Sequence, residues 1–440
     1  MKKILLILTL SLSLGVVAQE NVYPAAKQTA TIVITNATVH VGNGNTINNA
    51  SIVITDGKIT AVGANITPPA GATRVDATGK HVYPGLILPV SNLGLVEIGA
   101  VRASNDAQEI GDMNPNIHSL SAYNSDSKVI NTLRSNGILL ANVVPQGSFV
   151  AGQSSVVQLD AWNLEDAAYN KNAGLHVYMP LLLPRPQFGR GGGGGGPRGD
   201  GQPQTDPVKE GLEKIDGLKM FFREAKAYNS QATHETTNLK FASVKNLYDK
   251  KQKLYVHANT VKQMLIALDF VKEFGFDMVI VGGSDSWQIA ELLKQNNVSV
   301  VLGQPHSLPT LTDDDVDQPY KTAAALQKAG VLFSITDDDG QTRGRNLAFN
   351  AGTAAAYGLT KEQALQAITL NPAKIMGVGD KTGSIEVGKD ANIIISEGDI
   401  LDMRTSNVTD AYIQGRKIDL TDKHKQLNDR YKRKYGQRDF

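Results

Sequence analysis

The stretch between residues 137 and 335 limits the fold most tightly. The runs Gly137–Val144, Leu254–His257, Met278–Val281, Val298–Leu302 and Val331–Ile335 are short, mostly apolar and rich in Val, Ile and Leu. Continuous apolar runs of this length are strands buried on both faces, and such strands belong to parallel sheets. The segments between them, Val261–Phe274 and Trp287–Gln295 among them, carry apolar residues at three- and four-residue spacing, as crossover helices do. This alternation predicts a barrel or a doubly wound sheet in the middle of the chain.

The two ends follow a different pattern. Thr31–Ile34, Ala50–Ile54 and Ile59–Val62 are β-rich runs separated by Gly42-Asn43-Gly44-Asn45 and Asp56-Gly57, which predicts a meander with hairpin turns. Ser384–Ile395 and Ala411–Arg416 repeat that pattern near the other terminus. The first set alone is too small to bury a good core, so the two ends are expected to join into one β-sandwich. With 440 residues, 41% of them hydrophobic, the chain is long enough for one large α/β domain and a smaller appendage.

Lys plus Arg (44) nearly cancels Asp plus Glu (43), so no net field draws the chain to nucleic acid or an anionic membrane. Met1-Lys2-Lys3, the apolar run Ile4–Val17 and the small residues up to Ala18 read as a signal peptide over 1–18. Export to the periplasm or beyond follows as an expectation, with no membrane span left after cleavage; an uncleaved anchor is the alternative. The chain has no cysteine, which excludes disulfides and thiolate metal ligands.

Two segments stand outside the strand-and-helix pattern. Residues 186–205, with six glycines at Gly191–Gly196, are expected to form a loop of flexible composition inserted in the barrel. Residues 421–440 carry Lys423, Lys425, Arg430, Lys432, Arg433 and Lys434, which suits a solvated basic helix. The expected division is sandwich over 24–83, barrel over 84–380, sandwich again over 381–420, then this tail.

Three motifs carry a resemblance to a known family. Val75–Ile87, which includes Tyr83-Pro84-Gly85, resembles the junction at which amidohydrolases pass from their sandwich into barrel strand one. Asn371-Pro372-Ala373-Lys374, followed by Gly383–Ala391, resembles the return from barrel to sandwich. With Gly147–Gln153 these are similar to the imidazolonepropionase-like branch. The resemblance implies a (β/α)8 TIM barrel clasped by a small β-sandwich built from both chain ends.

It also implies a chemistry and the positions that would perform it. Amidohydrolases hold one or two divalent metals at the carboxyl ends of the barrel strands, where they turn water into a nucleophile. The family's strand-one pair of histidines falls here on Val90 and Asn92; valine cannot ligate, and a carboxamide is a weak ligand for Zn²⁺. Strand five keeps His257, with Asn259 at the second position, and strand six ends in Gly282-Gly283-Ser284-Asp285 without a histidine. Strand eight offers Asp337, the family's metal-binding and proton-handling aspartate, followed by Asp338 and Asp339. His257 also suits a hydrogen-bonded strand-end histidine, and the neighbouring acids suit a solvated turn.

Two functions follow from this set. One is hydrolysis of carbon–nitrogen bonds in small amides or peptides with a single divalent metal, Zn²⁺ first. His257 and Asp337 would then be ligands, Asp337 the catalytic residue, and Asn92, Asn259 and His306 the substrate-binding groups. The other is a catalytically silent barrel that binds a small molecule or pairs with an active homologue, as a homo- or hetero-oligomer.

Overall fold

The computed structural model describes residues 22–182, 206–337 and 342–437. The expected signal segment, the glycine-rich loop and Asp338 and Asp339 lie outside these residues. Two eight-stranded sheets organise the chain.

The first sheet contains β1 (Ile32–His40), β2 (Thr46–Thr55), β3 (Lys58–Ala64), β4 (Thr73–Asp76) and β5 (His81–Pro84). The turn between β2 and β3 uses Asp56 and Gly57, both at positive φ, as a two-residue hairpin turn demands. From the distant end of the chain come β14 (Ile393–Ser396), β15 (Val408–Ile413) and β16 (Arg416–Lys417), and β14 pairs antiparallel with β5 through Ile394↔Tyr83. Alternation divides the buried side chains between two cores. Ile34, Ile52, Val82, Ile393, Ile395 and Tyr412 form a cluster of their own. Tyr83, Ile394, Ala411 and Ile413 point the other way and join the barrel's core.

The second sheet runs in sequence order from β6 (Leu86–Ser91) through β7 (Ile138–Val143), β8 (Val150–Gln158), β9 (Ala168–Tyr178), β10 (Lys253–Ala258), β11 (Met278–Gly282) and β12 (Ser299–Leu302) to β13 (Phe333–Ile335). Its edges meet where Thr336 Oγ1 donates to the Val90 carbonyl at 3.1 Å. Ala367 and Ile368 bridge the gap, their carbonyls accepting from Ile335 (3.0 Å) and Ile87 (2.9 Å). The barrel departs from eight equal β/α units at one place: β8 is antiparallel to both β7 and β9, so a hairpin stands where a crossover helix would. The later half is regular, with α1 (Val261–Phe274) after β10, α2 (Ala290–Gln295) after β11, α3 (Gln318–Ala329) after β12 and α4 (Leu347–Ala356) after β13. Thr260 and Gln263 form a reciprocal cap at the start of α1, and Gly275 in the left-handed conformation ends it.

A buried ion cluster pins the two sheets together. The Asp160 carboxylate accepts from Arg134 Nη1 at 2.6 Å and from Arg416 Nη1 at 2.9 Å, and also from the Ala25 amide at 2.9 Å. The basic tail forms α5 (Lys423–Tyr435), capped by Asp422, whose other oxygen accepts from Ser135 Oγ.

Candidate functional site

The carboxyl ends of the barrel strands converge around β9 and β10. Their parallel register sets His176 beside Tyr255 and Tyr178 beside His257. Alternation turns these four side chains to the lumen. Gly174, on the same face of β9, makes room: a Cβ there would lie 2.1 Å from the Tyr255 ring. The imidazoles bond directly, His176 Nδ1 to His257 Nε2 at 2.9 Å. Each is also stacked on a phenol ring, His257 on Tyr178 (3.8 Å between centroids) and His176 on Tyr255 (4.7 Å).

Burial keeps both imidazoles uncharged. Although part of the His257 residue touches solvent, its enclosed ring is pushed from the usual histidine value to about 3 by desolvation. His176, fully buried, is lowered well below that value by desolvation first and by the neighbouring His257 second. Tyr255, Val279, Val281, Val301 and Ile375 pack together in the lumen with Val90 against them. Val90, at the expected strand-one ligand position, thus contributes an isopropyl group to the plug.

The other expected residues are dispersed. Asn92 donates from Nδ2 to Gln146 Oε1 at 3.4 Å, and its Oδ1 is buried without a hydrogen-bond partner. Asp337 is 2% exposed and accepts from Arg343 Nε at 3.3 Å and from Asn350 Nδ2 at 3.1 Å, which ties β13 to α4. His306 lies exposed on the loop after β12, its Nε2 3.1 Å from Thr353 Oγ1. Asn259 accepts from Ser284 Oγ at 3.2 Å and lines a cleft. The structure therefore brings His257 together with His176, which the sequence pattern does not single out, and gives Asp337 the protein partners Arg343 and Asn350.

This donor set does not fit a resident transition metal. Zn²⁺ in a protein takes three or four imidazole, thiolate or carboxylate donors converging on one point. Among the described residues no three His, Cys, Asp or Glu are so grouped. The His257 nitrogen that faces His176 is engaged by that ring, and both Asp337 oxygens accept hydrogen bonds.

The cleft lies off the barrel axis, between the ends of β10–β13 and the start of α3, with a volume of ≈ 170 Å³. Gly282, Leu302 and Ile335 line its strand side, and Trp287, Tyr320 and Asp314 lie across from them. Gly282 sits at φ +96°, and a Cβ there would come within 2.3 Å of Asn259 Oδ1. The absence of a side chain at the end of strand six is therefore what lets Asn259 fold over the cleft.

Comparisons with known proteins agree with this architecture. Residues 205–418 match the amidohydrolase family. An amidohydrolase structure from Thermotoga maritima superposes with a TM-score of 0.74 at 26% identity, covering 88% of this chain and 99% of that one. Imidazolonepropionase from Thermoplasma volcanium is 36% identical over 100 residues, 22% of this chain and 25% of that protein. The Flavobacterium johnsoniae imidazolonepropionase is 38% identical over 82 residues, 18% and 20% of the two chains. The matches to these two relatives thus span a quarter or less of their own length. On its motifs, its barrel and these matches, the chain belongs to the amidohydrolase superfamily, in the imidazolonepropionase-like branch.

Proposed function

We propose that this chain is an exported amidohydrolase-family protein in which carbon–nitrogen bond hydrolysis is weak or lost, and whose barrel mouth binds a small organic molecule. One observation carries the reading: the imidazole of His257 is bonded to His176, and the carboxylate of Asp337 to Arg343 and Asn350. A cation would have to compete with these bonds at both Asp337 oxygens, and it could reach His257 only through the ring nitrogen that does not face His176. Val90 and Asn92 add no donor strong enough to drive that exchange. The cleft supports the binding half of the proposal, since recognition sites are concave, mainly apolar and furnished with a few polar groups.

The test is metal analysis of purified protein after equilibration with Zn²⁺, Mn²⁺ or Fe²⁺ and desalting, paired with hydrolysis assays on linear and cyclic amides. Substoichiometric metal and no metal-restored turnover are expected. One tightly held equivalent, with turnover abolished by His257→Ala, would overturn the proposal. For export, the expected product is a periplasmic or secreted chain beginning at Gln19, read by intact mass.

A further inference from the structure

The cleft has a definite electrostatic character. Asp314 is the one charged side chain among its described lining residues. Next to the lining residue Ser284 lies Asp285, 4% exposed, with Oδ1 buried and without a hydrogen-bond partner. Burial holds the Asp285 carboxyl above the usual carboxylate range; Thr310 and the Val261 amide pull it down, and the nearby Asp314 charge adds to the rise. The basic residue in the first turn of the adjoining helix α3, Lys321, is held by Asp315 at 3.3 Å and Asp317 at 2.7 Å. His306 on the same loop is bonded to Thr353.

One carboxylate in the cleft wall and a second buried behind it favour a positive charge brought in from outside. Trp287 and Tyr320 supply aromatic surface, which also attracts cations. Leu302, Pro305 and Leu308 supply an apolar lining. An apolar cavity of roughly 150 Å³ accepts benzene, so a ring-sized body fits this volume.

We propose that the cleft binds a small organic amine, its ring-sized apolar body against Trp287 and Tyr320 and its ammonium group against Asp314, with Asp285 adding negative charge from behind the lining residue Ser284. This rests on the reading of the chain as a small-molecule binder and names the class of molecule bound. The site is separate from the His176–His257 pair and needs no metal.

The test uses EDTA-treated full-length protein, with benzylamine and its neutral counterpart benzyl alcohol as probes, followed by calorimetry or ligand-observed NMR. Benzylamine, protonated at neutral pH, is expected to bind roughly tenfold or more tightly than the alcohol, since one charge-assisted contact accounts for such a ratio. Asp314→Asn should reduce that preference, and Trp287→Ala should weaken both ligands. Asp285→Asn should act as Asp314→Asn does; because Asp285 is buried, a thermal melt checks its folding, and if that variant unfolds the partly exposed Asp314 decides the outcome. Equal affinity for the two probes, a preference unchanged in Asp314→Asn, or displacement of the amine by Ca²⁺ alone would overturn the inference. Metal-restored hydrolysis alongside an intact amine preference would overturn only the reading of weak or lost catalysis.

Discussion

Replacing Asp337 by Ala should destabilise the fold far more than replacing it by Asn, with or without metal. In the folded chain its carboxylate accepts from Asn350, which is 3% exposed, and from Arg343, whose side chain is 49% exposed. Alanine leaves the Asn350 amide without that acceptor inside the protein, at a cost of about 1–3 kcal/mol. The half-exposed ion pair adds no more than about 1 kcal/mol. Asp337→Ala is therefore expected to cost roughly 2–4 kcal/mol. Asp337→Asn keeps an acceptor for Asn350 and loses mainly the ion pair, about 1 kcal/mol. Equilibrium urea unfolding of both variants and the parent chain, each with and without EDTA, measures these differences. If EDTA lowers the stability of the parent chain, or if the two substitutions cost the same within about 0.5 kcal/mol, Asp337 is not the structural carboxylate described here.

Other expectations follow from the same contacts. Asp160→Ala removes the shared partner of Arg134 and Arg416 and should cost about 3–5 kcal/mol, read by urea unfolding. The imidazoles of His257 and His176 are neutral in the fold and take up protons once unfolded, so they favour unfolding as acid is added. Stability should be full above the ordinary histidine value of 6.5 and fall as pH drops from there toward about 3. The slope should reach about 1.4 kcal/mol per pH unit for each imidazole, and His257→Phe should flatten it, as urea midpoints across that range would show. Gly282→Ala forces a side chain into a left-handed backbone and onto Asn259, so it should cost about 1–3 kcal/mol and weaken benzylamine binding in the same calorimetric assay.

Much of the architecture was legible because strands buried on both faces leave an unambiguous apolar run. Met278–Val281 and Leu254–His257 are strands within a residue or two of where the sequence puts them. The junction Val75–Ile87 passes from one sheet into the other, as its resemblance implied. The hairpin of β8 was not legible, since Gly147–Gln153 reads equally as a turn before a parallel strand. His176 carried a usable signal, Leu175-His176-Val177-Tyr178 following Gly174, but its meaning depends on a partner 81 residues away in the register of β10. The engagement of Asp337 by Arg343 and Asn350 was also invisible, because a side chain's partners are set by how α4 packs on β13 rather than by local pattern. The position of Asp337 could be read in advance, whereas its occupation could not.

The sheet shared between the two termini has a consequence for how the molecule forms. Ile400 donates its amide to the Tyr83 hydroxyl across 317 residues of chain, and β5 finds β14 over a similar interval. Contacts this remote cannot form until nearly all of the polypeptide is available, and topologies dominated by them fold slowly. Until then β5 presents an unpaired backbone edge, and Ile34, Ile52 and Val82 lack the core partners that β14 brings, a surface on which other chains can add. Refolding yield should therefore fall steeply with protein concentration, and a chain ending before residue 393 should be recovered as aggregate rather than as a free barrel.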